Sequence, residues 1–406
     1  MKFLPVEDQL AIIKRGTSEI IPEAELRQKL ERSRQTGKPL RIKLGVDPTA
    51  SDLHLGFTVV IRKLRQFQDL GHQIILIIGN YTAMVGDPSG KNKTRPRLQL
   101  AEVEAHAAQY QEQFFKIVDR EKTQVVRNGD WFANMNFAEV TELAAQMTVA
   151  QMLMREDFAK RYAEQSPISI HEFLYPLMQG WDSVQIEADV ELGGSDQKFN
   201  VLVGRDLQKN QGREPQVGLF MPILTGTDGQ LKMSKSYGNY IGINAAPEEM
   251  YGKTLSLPDE QIYNYFELVT DVSAIELAAI KKRLESGENP RDLKRELART
   301  LVRMYHSEAA ASAAEEHFDR VFVKGAAPED MPERHVKAGQ HSLTDILCAN
   351  QLVESKAAAK RLIQQGGVTY DGERIDDFRA GIEITDVHVL KAGKRKFLRL
   401  IAQAEA

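Results

Sequence analysis

The chain alternates short apolar runs with helical stripes, an order that predicts strand and helix in turn. Arg41 to Val46, RIKLGV, reads as a buried strand, Asp47-Pro48-Thr49 breaks it, and His54-Leu55-Gly56-Phe57 opens a helix that continues to Gly71. Gln73 to Ile78, QIILII, is a continuous apolar run of the kind covered on both faces. Strand, helix, strand in this order predicts a right-handed parallel crossover, with ligands beyond the carboxyl ends of the strands. Residues 6 to 34 have the spacing of one or two short amphipathic helices. Residues 98 to 164 read as helices interrupted by a strand-like TQVVRNGDWF. A short apolar strand precedes Leu192-Gly193-Gly194-Ser195-Asp196-Gln197, where composition implies a turn with Ser195 or Asp196 as helix cap. Residues 247 to 322 read as a bundle of helices, 326 to 340 as a polar linker rich in Pro and Gly, and 341 to 406 as two short helices followed by strands.

Length and composition narrow the class. At 406 residues, two or three domains are expected. A formal net charge of −4 carries no global nucleic-acid signature, so any RNA contact must come from a local basic patch. The single cysteine, Cys348, excludes a disulfide framework and a Cys-rich zinc site, which favours a reducing compartment and a cytoplasmic location. Glu7 and Asp8 interrupt what would be the core of a signal peptide, and no apolar run approaches the roughly 20 residues needed to span a bilayer. A soluble protein without a membrane partner is expected.

Two segments carry candidate chemistry. A strand-to-helix junction gathers backbone N–H groups without partners inside the helix, and they suit phosphate. There His54 would donate to a phosphoryl oxygen, and Gly56 would let an adenine ring approach. Alone, HLG is equally a helix start of no chemical interest. Far downstream, Lys232-Met233-Ser234-Lys235-Ser236 places two ammonium groups and two hydroxyls in a glycine-bounded loop able to close over triphosphate, although any one lysine there also suits a solvated turn.

The pairing of HLG with KMSKS resembles the class I aminoacyl-tRNA synthetases, and three further motifs resemble their tyrosyl branch. Residues 86 to 91, GDPSGK, match that branch residue for residue, although they also suit a plain glycine-proline turn. Tyr175, Gln179 and Asp182 recur at intervals of four and three, along one helix face that serves equally as a solvated polar stripe. GGSDQ is the third. The C-terminal segment is similar to the small RNA-binding domain named for the fourth small-subunit ribosomal protein.

The resemblance implies an α/β protein. A Rossmann-like parallel-sheet catalytic domain would span 1–240 with a helical dimerisation insertion at about 125–165, followed by a helical domain at 241–325 and an α+β RNA-binding domain after the linker. It implies a homodimer, for which Met147, Met152 and Met154 are candidate partner-facing residues. It also implies a tyrosine–tRNA ligase that forms tyrosyl-adenylate from L-tyrosine and ATP and transfers the tyrosyl group to tRNA(Tyr), with Mg2+ arriving on ATP rather than in a protein cage. Thr49 and His54 would meet the terminal phosphate, and Lys232 and Lys235 the leaving pyrophosphate. Asp47, Gly56, Phe57, Gly193, Gly194, Asp196, Met233, Ser234 and Ser236 would complete the ATP site. Asp87, Tyr175 and Gln179 would hold the tyrosine ammonium, Gln197 would face the amino acid, and Asp182 would accept the phenolic hydroxyl. Phenylalanine would leave that acceptor unpaired. Lys356, Lys360, Arg361, Lys394 and Arg395 would touch RNA phosphates, while most basic residues of the helical bundle face water.

Three positions depart from the branch. Phe57 replaces the second histidine of the HIGH signature, Lys43 replaces a second phenol-recognising tyrosine, and Glu191 replaces a glutamine. The expectation is that Asp182 carries most of the hydroxyl recognition, its charge balanced by Lys43. A nucleotidylyltransferase and a catalytically retired RNA-binding relative are the competing readings, the second suggested only by Phe57.

Overall fold

The computed structural model describes residues 3–49, 52–88, 99–323, 331–393 and 396–403. They divide into two compact units, Met1–Glu308 and Ala309–Ala406. The core of the first is a six-stranded sheet. Its strands are β1 (Glu19–Ile21), β2 (Arg41–Val46), β3 (Gln73–Ile78), β4 (Thr123–Arg127), β5 (Val190–Gly194) and β6 (Val217–Met221), in the order β1-β6-β5-β2-β3-β4. The last five run parallel, and β1 closes the β6 edge antiparallel. The expected β2, crossover helix (Leu55–Asp69) and β3 form with the boundaries read from polarity, since Ile74 to Ile78 are wholly buried between layers. The sequence reading missed β1, whose three residues pair through the backbone at an edge and carry no apolar alternation.

Residues 125–127 belong to β4 and hence to the sheet, so the helices of the expected insertion begin at Gly129. Helices Pro247–Leu255, Ile262–Val269, Ala274–Glu285 and Pro290–Tyr305 lie within the first unit rather than in a domain of their own. The Pro290–Tyr305 helix packs on Pro247–Leu255, and Ile262–Val269 packs on the crossover helix.

Two helices place the site. The Leu174–Gln185 helix crosses the Lys198–Asn210 helix closely where Gly180 meets Gly204: a Cβ at Gly180 would lie 3.0 Å from the Gly204 nitrogen. Contact at backbone range fixes the rotation of Leu174–Gln185, turning Tyr175 and Asp182 inward. GGSDQ departs from the expected capping. Ser195–Gln197 forms a 3-10 turn, and Gln197, without a side-chain cap bond, precedes Lys198–Asn210.

The second unit has a five-stranded sheet in the order β10-β9-β12-β13-β7 and a two-stranded β11-β8 sheet. Its strands are β7 (Glu333–Lys337), β8 (Gly339–Ser342), β9 (Val368–Tyr370), β10 (Glu373–Arg374), β11 (Gly381–Ile384), β12 (Val387–Ala392) and β13 (Lys396–Gln403). Helices Leu343–Ala349 and Lys356–Gln364 bury Leu343, Leu347, Ala359 and Ile363 against β12 and β13. β7 occupies what polarity marked as linker. ERHVK is almost wholly exposed and is held by parallel pairing with β13, an edge arrangement that hydrophobic periodicity does not report.

Candidate active site

His54 caps the crossover helix, its Nδ1 accepting from the Gly56 backbone N–H at 3.2 Å. The ring is buried, and burial together with the Lys235 charge lowers its pKa to about 4. A neutral imidazole whose Nδ1 accepts carries its proton on Nε2, so the ring stands as a hydrogen-bond donor. Phe57 lies against it, ring centroids 4.6 Å apart, and is 50% exposed.

The KMSKS segment meets this turn. His54 pairs with Gly242, the Leu55 N–H donates to Ile241 O, and the Ile243 N–H donates to Leu53 O, so the chain just past KMSKS is bonded to the chain around His54. Met233 is buried, its Cβ 3.5 Å from where a Cβ on Gly56 would stand. Lys235 pairs with Asp52 at 3.0 Å. Ser234 donates its N–H to Asn239 and caps the short Lys235–Tyr237 turn, accepting from the Ser236 N–H. Lys232 is exposed, and its charge opposes the burial that raises the Asp196 pKa. Thr49 is exposed at the β2 end, its N–H donated to Asp47 O.

Asp47 joins this end to the other. It accepts from the Tyr175 hydroxyl at 2.8 Å and from Thr82 Oγ1 at 2.7 Å, close against Gly79, where a Cβ would overlap both Asp47 and Thr82. Burial and the Asp47 charge push the Tyr175 phenol well above its usual range, keeping it a donor. Asn128 donates to Thr82 Oγ1 at 2.9 Å and to Asp182 at 3.3 Å, and Trp131 Nε1 donates to Asp182 at 3.0 Å. Burial raises the Asp182 pKa to about 7 against the opposing Lys43 charge and these two donors. Asp87 accepts from Gln197 Nε2 at 2.9 Å and pairs with Arg155 at 3.3 Å.

Several expectations change here. Lys43 makes no direct pair with Asp182, though its charge acts on it from a distance: its ammonium donates to Ser183 Oγ (2.7 Å) and Gln179 O (2.7 Å) and pairs with Glu191 at 2.9 Å. Gly193 and Gly194 are required by local packing as well, since Cβ atoms there would meet Gln197 Cβ at 2.9 Å and Asp196 Oδ1 at 2.6 Å. Met152 faces the core rather than a partner, and Met147 packs against the same core. Ser89, Gly90 and Lys91 of GDPSGK, together with Lys394 and Arg395, lie outside the described residues. In the second unit Lys356 pairs with Asp345, Lys360 lies 5.1 Å from the Phe378 ring and Arg361 is exposed. Thr82, Asn128, Trp131, Arg155 and Asn200 are site neighbours that sequence reasoning missed. Each is a single polar or aromatic residue far along the chain, with no local spacing to mark it.

A family model described as "tRNA synthetases class I (W and Y)" matches residues 35–323, and another, "Tyrosine--tRNA ligase SYY-like C-terminal domain", matches 323–400. The chain is 56% identical to the tyrosine–tRNA ligase of Moorella thermoacetica over 97% of this chain and 96% of the relative. Against that of Carboxydothermus hydrogenoformans it is 52% identical over 98% and 99%. Among solved structures, a C-terminally truncated mitochondrial tyrosyl-tRNA synthetase of Aspergillus nidulans shares the fold with a TM-score of 0.63 at 23% identity, over 78% of this chain and 94% of that one. The Archaeoglobus fulgidus tyrosyl-tRNA synthetase complexed with L-tyrosine gives 0.62 at 24%, over 76% and 99%. With both family models covering nearly the whole chain and these relatives at about half identity end to end, the chain belongs to the tyrosyl-tRNA synthetases of class I, enzymes that ligate tyrosine to tRNA in two steps.

Proposed function

We propose that the cleft bounded by His54, Met233, Lys235, Asp47, Tyr175 and Asp182 is where tyrosine is activated. Asp182 accepts the phenolic hydroxyl, and Tyr175, Gln179 and Asp87 receive the α-ammonium. The tyrosine carboxylate attacks the α-phosphorus of ATP in line, the bond to the β-phosphate oxygen breaks, and pyrophosphate leaves. His54, through Nε2–H, and Thr49 stabilise charge on the phosphates, and Lys232 and Lys235 on the departing pyrophosphate. Mg2+ enters as part of the ATP substrate. Among the described residues no three His, Cys, Asp or Glu side chains are grouped to hold a metal ion. The tRNA 3′ adenosine then takes the tyrosyl group from the adenylate.

The observation that supports this reading is the pairing of His54 with Gly242, just past KMSKS, together with Lys235 near enough for its charge to lower the His54 pKa. Tyrosine-dependent exchange of pyrophosphate into ATP, followed by charging of tRNA(Tyr), tests it. Exchange without tyrosine dependence would remove the amino-acid assignment, and no exchange at all would leave the retired relative.

The homodimer is part of the proposal. Phe137, Val149, Met154, Tyr162 and Ile170 are between 62% and 86% exposed along the helical segment after β4, a set of apolar side chains suited to burial against a second copy. Phe137→Glu with Met154→Glu should convert a dimer in light scattering to a monomer, and an unchanged mass would show that this face is not the interface. No helix among the described residues is long and apolar enough to cross a membrane. A cytoplasmic location and phosphate contacts from the exposed Lys356, Lys360 and Arg361 complete the reading.

A further inference from the structure

Behind the cleft lies a buried polar cluster that the proposed chemistry does not use. Lys43 and Glu191 are register partners across β2 and β5, so both side chains project to one face of the sheet. They are 0% and 1% exposed and pair at 2.9 Å. The Lys43 ammonium donates to Ser183 Oγ and Gln179 O and lies in ion-pair contact with Glu191, so it is directed into the cluster. Glu191 accepts three hydrogen bonds, from Gln179 Nε2 at 3.1 Å, from Ser183 Oγ at 3.0 Å and from Gln216 Nε2 at 2.5 Å, beside its ion pair with Lys43.

These bonds continue in one direction toward the amino-acid site. Arg155 donates to Asn200 Oδ1 at 3.1 Å, Asn200 Nδ2 donates to Gln179 Oε1 at 2.9 Å, and Gln179 Nε2 donates to Glu191. A guanidinium only donates and a carboxylate only accepts, so the two ends of the chain dictate the orientation of both amides between them. Gln179 is thereby held with its nitrogen toward Glu191 and its oxygen toward Asn200. A carbonyl oxygen has two acceptor positions. Asn200 uses one, and the second is available to a donor in the cleft.

We propose that Lys43 and Glu191 are positioning residues of the amino-acid site: by orienting the Gln179 amide they present its oxygen, rather than its nitrogen, to the α-ammonium of tyrosine. The pair replaces phenol recognition at position 43 with ammonium recognition at one remove. This rests on the reading of the cleft as the tyrosine site. Without the Glu191 acceptor the amide is free to turn its N–H groups toward the ammonium, and like would face like.

Tyrosine is compared with 3-(4-hydroxyphenyl)propionate, which keeps the phenol and carboxylate and lacks the ammonium. The wild-type full-length enzyme is first shown to exchange pyrophosphate with tyrosine, a step whose failure would sink the reading of the cleft and is thereby told apart from a failure seen only in the variants. In Lys43→Met with Glu191→Leu no buried charge is left unpaired, so folding is tested apart from positioning. The KM for tyrosine should rise about tenfold or more, the loss of one charge-assisted hydrogen bond. The inhibition constant of the desamino analogue and the KM for ATP should stay within about threefold. Lys43→Met with Glu191→Gln likewise leaves no buried charge unpaired but keeps a carbonyl facing Gln179, and should leave tyrosine within about threefold of wild type. Equal weakening of tyrosine and its desamino analogue would make the pair a structural support only. An unchanged tyrosine KM in Lys43→Met with Glu191→Leu, or a loss of ammonium selectivity in Lys43→Met with Glu191→Gln, would overturn the proposal outright.

Discussion

Asp182→Ala should lower the preference for tyrosine over phenylalanine in pyrophosphate exchange by roughly 10- to 150-fold, the range expected for losing a buried hydrogen bond to a charged acceptor. The change should fall mainly on kcat/KM for tyrosine, with phenylalanine level or improved, since it no longer leaves a buried acceptor unpaired. The setting explains the size. Asp182 is buried, and its partners in the free protein, Trp131 Nε1 and Asn128 Nδ2, leave acceptor capacity for one more donor. Unchanged selectivity would remove Asp182 from the hydroxyl-reading role.

The same group gives the recognition a pH dependence. Burial first, opposed by Lys43, raises its pKa from the ordinary 3.8 to about 7. Below about pH 7 the carboxyl of the free enzyme is neutral and no longer offers a charged acceptor, so kcat/KM for tyrosine should fall by up to about tenfold per unit of acidification while that for phenylalanine holds level. Stability moves the other way. A carboxyl whose pKa is raised on folding favours the folded state most below its unfolded value, and that contribution is lost as pH rises toward about 7. A tyrosine profile flat between pH 6 and 8 would rule out titration of Asp182 in this range.

His54→Ala should reduce kcat for activation by about 100- to 1000-fold, the usual effect of removing one preorganised donor from a developing oxyanion. The KM for tyrosine should change little, because His54 lies at the phosphate end of the cleft. Since burial and Lys235 hold the pKa near 4, the histidine is neutral throughout the working range, and its loss should not alter the shape of the rate profile above pH 6. His54→Gln, which retains an N–H donor, should recover part of the loss. A KM effect without a kcat effect would place His54 in ground-state binding instead.

Phe57 bears on the same end. Its ring covers His54 where the HIGH signature has a second histidine, so it supplies apolar cover instead of a second donor. On the proposed reading His54 would therefore carry more of the phosphate contact at this turn, which is why its replacement is expected to cost so much.

The sequence by itself determined the elements whose formation depends on local pattern. β2, the crossover helix, β3 and the helix carrying Tyr175, Gln179 and Asp182 follow from apolar runs and helical spacing, because burial on two faces or one face imposes those periods. HLG, GGSDQ and KMSKS were legible as motifs, since each chemistry needs particular groups within a few residues. Edge strands β1 and β7 were not legible, because backbone pairing with β6 and β13 holds them and leaves no mark in side-chain polarity.

Only the tertiary structure decided which distant groups meet. Asn128, Trp131, Arg155 and Asn200 meet Asp182, Asp87 and Gln179 from separate helices and loops, and no spacing along the chain relates them. Lys43 is the clearest case. Its charge suggested a partner for Asp182, but strand register sets it beside Glu191, and in a buried setting the ammonium takes the carboxylate and the two oxygen acceptors within reach.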